Sequence, residues 1–331
     1  MNRSWTRENL LDASGAFMTN CILGAAAELG LFDLLAPESL SLEEVTAQLQ
    51  SDPRATRILL DALAALELLE KENDRYRLPP PLQPYLTSQG AETVLPMICH
   101  RMSVARAWVM LAWTVKAGIP APRPTSLRGP LADTEAFVLA MHVISAPLAQ
   151  RLVAQLRPLT FRCLLDVGGA TGTWTEAFLN EVPGASAIVL DLPAVIEVAR
   201  RRLSQSPLRD RIRLVSGDYL RDPLPGPVDF AWVSAICHQH SREENRLIFR
   251  KIHEVLSPGG SIAIRDIIME PSRIRPVQGA LFAVNMLANT PGGNTYTFDE
   301  YAEDLRTAGF VAARCLVSTE DMNSVIVATK P

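Results

Sequence analysis

The sequence predicts an α/β protein. A mostly parallel sheet with helices on both faces fills the C-terminal half, and a mostly helical module of winged-helix pattern precedes it. Three observations carry this expectation. From residue 161 onward, short apolar runs alternate with amphipathic helical stretches, the pattern of strands joined by crossover helices. The first of those runs ends in a glycine cluster, Gly168-Gly169-Ala170-Thr171-Gly172. The first 95 residues lack that alternation and read as short helices followed by a hairpin. A chain of 331 residues is long enough for two domains, expected at 1–95 and 96–331.

In the first part, Ser41 with Glu44 three residues on has capping-box spacing, each side chain satisfying a free backbone N–H. Asp52-Pro53 opens a second helix, with Pro in its first turn. Ile58, Leu59, Ala62, Leu63, Leu66 and Leu69 are spaced to form its buried stripe. Glu72-Asn73-Asp74 is a turn, and Tyr76-Arg77-Leu78 a returning strand ended by Pro79. A winged helix invites a DNA-binding reading, but residues 38–77 hold nine acids against five bases. A reader of duplex DNA neutralises phosphates with Lys and Arg, so self-association is the better expectation. Residues 95–156 read as helical, broken by a Pro-rich loop at 118–124.

The strand candidates of the second half are 163–167, 187–191, 212–215, 228–233 and 261–264. Helical stretches at 173–181, 194–203, 242–256 and 298–308 separate most of them. In such sheets ligands sit beyond the carboxyl ends of strands, where strand order reverses.

Composition excludes several classes. With 48% hydrophobic and 21% charged residues, the chain is neither disordered nor a coiled coil. Its net charge of −4 gives no electrostatic reason to expect nucleic acid or an anionic membrane as partner. Asn285 interrupts the apolar stretch at 280–288, about as long as any, and Thr19 with Asn20 breaks the one near the start. No uninterrupted run therefore nears the roughly 18 residues of a spanning helix, and no signal peptide is read. Five scattered cysteines without C-x-x-C are the usage of a reducing compartment, so a soluble cytoplasmic protein is expected.

The chemistry concentrates at the strand ends. Asp166 precedes the glycine turn, whose bare backbone can approach a nucleotide-like ligand closely. A hydride-transfer fingerprint would place glycine at 168, 170 and 173, but Ala170 and Thr173 stand at the last two. Glycines at 168 and 172 around a small residue suit S-adenosyl-L-methionine (SAM) instead; a tight turn without ligand is the structural alternative. Asp191 ends the next strand, placed to accept from ribose hydroxyls or to cap the following helix. Asp218 and Tyr219 follow the third strand, where an acid can accept from an adenine amino group beside an aromatic ring. His238, after the fourth strand, faces the same crevice and is a candidate general base or a structural hydrogen-bonder. Cys237, His238 and His240 lack the spacing of a zinc site, so no metal is expected. His253 and the arginines at 200, 201, 202, 209, 211 and 213 read as surface.

The order of these pieces resembles the class I SAM-dependent small-molecule O-methyltransferases, related to the caffeate and hydroxyindole (acetylserotonin) enzymes. The likeness covers nearly the whole chain. It implies an N-terminal winged-helix dimerisation domain, hence a homodimer, and a Rossmann-like methyltransferase domain that converts SAM to S-adenosyl-L-homocysteine (SAH). Carried over by residue, Asp166, Gly168, Gly169 and Gly172 belong to the SAM loop, and Asp191 with neighbouring Leu192 to the ribose site. Asp218 and Tyr219 belong to the adenine site, with Ser234 near it, and Ser145 reaches the cofactor carboxylate. His238 matches the catalytic base and Asp266 an acid that orients it. Met141, Met286 and Thr290 match substrate contacts.

Five positions depart from that pattern. Ala170 replaces the middle glycine, and Gln239-His240 stands where Asp or Asn then Trp is frequent. Ser234 occupies a position that is often Lys or Arg, and Thr295 falls where plant enzymes carry a second glutamate beside the base. Alternatives therefore stay open: a SAM-binding member without methyl transfer, an N- or C-methyltransferase, and a ligand-sensing regulator.

Overall fold

The computed structural model describes residues 5–331. The chain divides into two compact units, one running to Ala105 and taking in Pro124–Val143, the other comprising Arg106–Arg123 and Ile144–Pro331.

The first unit is mostly helical, with helices Arg7–Gly15, Phe17–Glu28, Leu42–Leu49 and Pro53–Ala65. Strands β1 (Leu40–Ser41), β2 (Glu70–Glu72) and β3 (Arg75–Arg77) form its wing, in the order β1-β3-β2. The Ser41–Glu44 capping box is present in both directions, and Asp52 caps Ala55 N–H at 2.8 Å ahead of Pro53. Tyr76 anchors the wing: its ring is fully buried and its hydroxyl donates to Asp61 at 2.7 Å. One expectation needs correction. Helix Pro53–Ala65 buries Thr56, Leu60 and Leu63, whereas Ile58 and Leu66 face outward. Positions 56, 60 and 63 fall on one side at 3.6 residues per turn, and the predicted stripe straddled two faces.

The second unit is built on a seven-stranded sheet. Its strands are β4 (Cys163–Val167), β5 (Ser186–Asp191), β6 (Ile212–Ser216), β7 (Val228–Ser234) and β8 (Leu256–Asp266). Two short strands, β9 (Ile268–Met269) and β10 (Tyr296–Thr297), pair in parallel outside it. Strands β11 (Val311–Val317) and β12 (Ser324–Thr329) complete the sheet in the order β11-β12-β8-β7-β4-β5-β6. All neighbours from β8 to β6 are parallel, and β12 runs antiparallel between β8 and β11. From β4 the chain steps outward through β5 to β6, then returns past β4 to β7. Strand order thus reverses between β4 and β7, which opens a crevice at their carboxyl ends.

Helices cover both faces. Trp174, Phe178 and Trp232 pack with Ala149 and Leu152 on one side. Ile248, Phe249, Tyr301 and Leu305 pack on the other. Asp304, buried between Arg242 (2.7 Å) and Arg246 (2.6 Å), ties helix Phe298–Thr307 to helix Arg242–Val255. Two arginines read as surface have structural tasks. Arg211 donates to the carbonyls of Leu179, Val182 and Ala185, and Arg202 to Thr171 O and Glu176. His253 is half-buried against Phe310, and its Nε2 has no hydrogen-bond partner among the described residues. Two helical stretches, Arg7–Glu28 and Pro130–Gln155, are long and apolar enough by length and composition to cross a membrane.

Candidate active site

The glycine turn joins β4 to helix Thr173–Glu181. Gly168 (φ 65°) and Gly172 (φ 75°) are left-handed, a conformation that a Cβ disfavours and glycine adopts freely. A Cβ on Gly168 would lie 2.4 Å from Ile236 Cδ1, and one on Gly169 would lie 2.8 Å from the Asp166 carboxyl carbon. The loop is therefore bare main chain pressed between β5 and β7, a cradle that fits a nucleoside ligand.

Ala170 carries the cost of replacing a glycine, since its φ of 49° is left-handed too. Replacing Ala170 by Gly is expected to raise unfolding stability by about 0.5–1 kcal/mol, once the looser unfolded chain is counted. Urea denaturation of the two proteins measures it, and a loss of stability would refute the strain.

Asp191 lies against this loop. Its Oδ2 accepts Ala170 N–H at 2.9 Å and its Oδ1 accepts Leu192 N–H at 2.8 Å. The helix N-cap is Leu192, so Asp191 orders the turn rather than capping the helix. A carboxylate has about four acceptor sites, so capacity for two ribose hydroxyls remains. Burial raises the pKa of Asp191, and its charge also acts on Asp166.

Asp166 is fully buried, takes the Thr175 hydroxyl at 2.6 Å, and is pushed up to about 7, chiefly by burial. The sign follows directly. The unfolded carboxyl ionises near pH 4 while the folded one keeps its proton to about 7, so this residue's contribution falls as pH rises through that window. Asp166→Asn should remove a slope of at most about 1.4 kcal/mol per pH unit between pH 4 and 7. Parallel stability–pH curves for wild type and variant would contradict this.

Asp218 accepts Leu220 N–H at 2.9 Å beside the half-buried Tyr219. The Tyr219 hydroxyl meets His240 Nε2 at 2.8 Å, so His240 holds the ring that borders Gly168. Burial lowers the pKa of His240. Ser234, at the end of β7, accepts from Arg265 Nη1 at 3.1 Å. Ser145 is buried on helix Pro130–Gln155, and Met141, half-buried, belongs to the first unit.

His238 sits in the turn Cys237–Gln239 that follows β7, with β8 bringing Asp266 beside it. Both are buried. His238 Nδ1 lies 2.8 Å from Asp266 Oδ1, which also accepts Ile267 N–H at 2.8 Å. Asp266 Oδ2 accepts the His238 backbone N–H at 3.2 Å and the Tyr301 hydroxyl at 3.1 Å. An acceptor-only carboxylate on Nδ1 fixes the proton there and leaves the lone pair on Nε2. The rings of Phe282 and His238 are perpendicular, with centroids 4.7 Å apart. Phe282 lies on helix Val277–Asn289, one turn before the buried Met286. Met286 O accepts the Thr290 hydroxyl at 2.8 Å, and that hydroxyl accepts Gly293 N–H at 3.0 Å.

Thr295 points elsewhere: its hydroxyl reaches Gly279 O at 3.4 Å. The acid beside His238 is steadied instead by Tyr301, which sequence reading did not single out. Gly293 was also missed as a site residue. A Cβ there would lie 2.5 Å from His238 O, so only glycine lets this segment pack under the histidine turn. Arg265 is the third omission, a buried guanidinium whose pKa burial lowers to about 10.

Known proteins resemble this chain along nearly its whole length. Residues 132–311 match the model of the O-methyltransferase domain, and residues 11–87 that of the O-methyltransferase dimerisation domain. The chain is 30% identical over 332 residues to 3-hydroxy-5-methyl-1-naphthoate 3-O-methyltransferase of Streptomyces sahachiroi, covering 96% of this chain and 93% of that one. It is 30% identical over 315 residues to the N,N-dimethyltransferase OxyT of Streptomyces rimosus, covering 91% and 90%. The crystal structure of human N-acetylserotonin methyltransferase in complex with SAM superposes with a TM-score of 0.78 at 25% identity, covering 100% and 99% of the two chains. The chain belongs to the SAM-dependent O-methyltransferase family, with a dimerisation domain ahead of its catalytic domain.

Proposed function

We propose that this enzyme methylates a hydroxyl of a small aromatic molecule with His238 as general base. The observation that carries the reading is the buried His238–Asp266 pair, 2.8 Å apart, at the carboxyl ends of β7 and β8, with β7 next to the strand that leads into the glycine cradle. Bound SAM supplies an electrophilic methyl group on a sulfonium and leaves as SAH. Gly168, Gly169 and Gly172 receive it through bare main chain, with Asp191 and Leu192 at the ribose, Asp218 and Tyr219 at the adenine, and Ser145 and Ser234 as further contacts. As the acceptor oxygen attacks, its proton passes to His238 Nε2, and Asp266 stabilises the imidazolium. Met286, Thr290 and Phe282 line the acceptor side next to the imidazole.

The dimerisation region is assigned to residues 1–95 and catalysis to 96–331, with a homodimer as the working form. Exposed Leu10, Leu11, Phe17 and Met18 support self-association, because a helical face this apolar is otherwise unsatisfied in water. All five cysteines are free, which suits a cytoplasmic location.

Thermal unfolding with and without ligands tests the cofactor assignment. SAM and SAH at a hundredfold above Kd should each stabilise the protein by about 2.7 kcal/mol, and NAD should leave it unchanged. A rise with NAD alone would overturn it. The likeness to OxyT favours a second reading, transfer to an amine, since Nε2 would serve a nitrogen acceptor equally. Turnover of a phenol and of the matching aniline separates the two.

A further inference from the structure

One buried charge has no part in the chemistry above. Arg265 precedes Asp266 on β8, so its side chain leaves the sheet on the opposite face. It is 5% exposed, and its guanidinium lies over Trp174, 4.6 Å from the ring centroid. Nε and Nη2 donate to Asn323 Oδ1 at 3.1 and 2.8 Å, and Nη1 donates to Ser234 Oγ at 3.1 Å. All these acceptors are neutral, while Asp266 and Asp321 act on the charge only through space. A guanidinium carries five N–H donors, so one on Nη1 and one on Nη2 are left without an acceptor among the described residues. A second donor in the same cluster is also unsatisfied: Trp232 Nε1 is buried without a partner among the described residues, its ring 5.5 Å from that of Trp174.

Position adds to this. Trp174 is the second residue after Gly172, on the helix whose N-terminus has no side-chain cap. Ser234 ends the strand that leads to His238. Ser145 is buried on the helix whose Ala149 and Leu152 pack with Trp174. A buried cation with spare donors, an uncapped helix start and the helix that carries a buried hydroxyl thus meet around Trp174, a set of groups whose chemistry suits an anion.

We propose that Arg265 is a carboxylate anchor of the catalytic crevice, its two free N–H groups taking the carboxylate of a bound ligand. This rests on the SAM assignment above, and the cofactor's own α-carboxylate is the source nearest to the glycine turn. A carboxylate on an aromatic acceptor is the other source of the same chemistry. The structural alternative is that Arg265 only staples the 318–323 loop through Asn323.

Titration calorimetry on the full-length protein decides it, with SAH and with 5′-methylthioadenosine, which keeps the nucleoside and thioether but lacks the carboxylate. Arg265→Gln should weaken SAH about 10- to 100-fold and leave 5′-methylthioadenosine unchanged, with Arg265→Lys between. In a second arm, an aromatic hydroxy acid and the phenol lacking its carboxyl group are turned over at saturating SAM. A loss confined to the hydroxy acid would place the carboxylate on the acceptor and still support the anchor. Equal losses within both pairs, or none, would overturn it, as would the same selective loss in Asn323→Ala. Should Arg265→Gln fail to fold, the SAH to 5′-methylthioadenosine ratio of Arg265→Lys gives the answer. Wild type that binds neither nucleoside would instead overturn the SAM assignment itself.

Discussion

Replacing His238 by Ala is expected to lower kcat by about 10²–10⁴ near neutral pH while leaving SAH affinity unchanged. The size follows from the acceptor. A phenol with a pKa near 10 is almost wholly protonated at pH 7, so attack needs somewhere for its proton to go. His238 is built for that. Its Nδ1 is committed to Asp266 at 2.8 Å, leaving Nε2 the only basic atom of the ring. The glycine cradle and Asp191 lie on other strands and do not depend on the imidazole. The same argument gives the discriminating measurement. As pH approaches 10 the phenol ionises unaided, so single-turnover rates of wild type and variant should converge. A constant ratio from pH 7 to 10 would assign His238 to positioning alone, and an unchanged rate at pH 7 would remove it from the chemistry.

The central strands were legible because burial on both faces leaves continuous apolar runs, as in Leu164-Leu165 of β4 and Ile188-Val189-Leu190 of β5. Asp166 and Asp191 were legible for the same reason, since they interrupt or end such runs, whereas Asp266 entered only through the family resemblance. Strand β11 was not read, because it is a mostly exposed edge strand with two register shifts, and neither alternation nor an apolar run marks it. Helix Val277–Asn289 was met only as an apolar stretch, since too few polar residues break it to show a period. The missed site residues share a different cause. Tyr301 reaches Asp266 from 35 positions away, Gly293 matters through a backbone contact, and Arg265 is distinguished from a surface arginine only by which face of β8 it leaves. Tertiary pairing creates those roles, and local sequence carries no trace of them.

Asp266→Asn should be nearly as damaging as loss of the histidine, and for a reason that can be followed atom by atom. Each carboxylate oxygen takes two donors: Oδ1 from His238 Nδ1 and Ile267 N–H, Oδ2 from His238 N–H and the Tyr301 hydroxyl. An amide has one oxygen, so its NH₂ must replace one of the two. Placed at Oδ1, it faces Ile267 N–H and drives the His238 proton to Nε2, which abolishes the base. Placed at Oδ2, it faces the His238 backbone N–H and only the Tyr301 hydroxyl can turn to accept. Either way one buried backbone N–H loses its partner, at a cost of about 1–3 kcal/mol. The expected result is that destabilisation together with a fall in kcat of about 10²–10⁴, at unchanged KM for SAM. Tyr301→Phe is the contrasting case. It removes one donor and introduces no opposing N–H, so it should cost about 1 kcal/mol and less than about tenfold in kcat. Urea denaturation and initial rates on both variants test this ordering. If Tyr301→Phe proved the more damaging of the two, Asp266 would not be what holds the imidazole in its working tautomer.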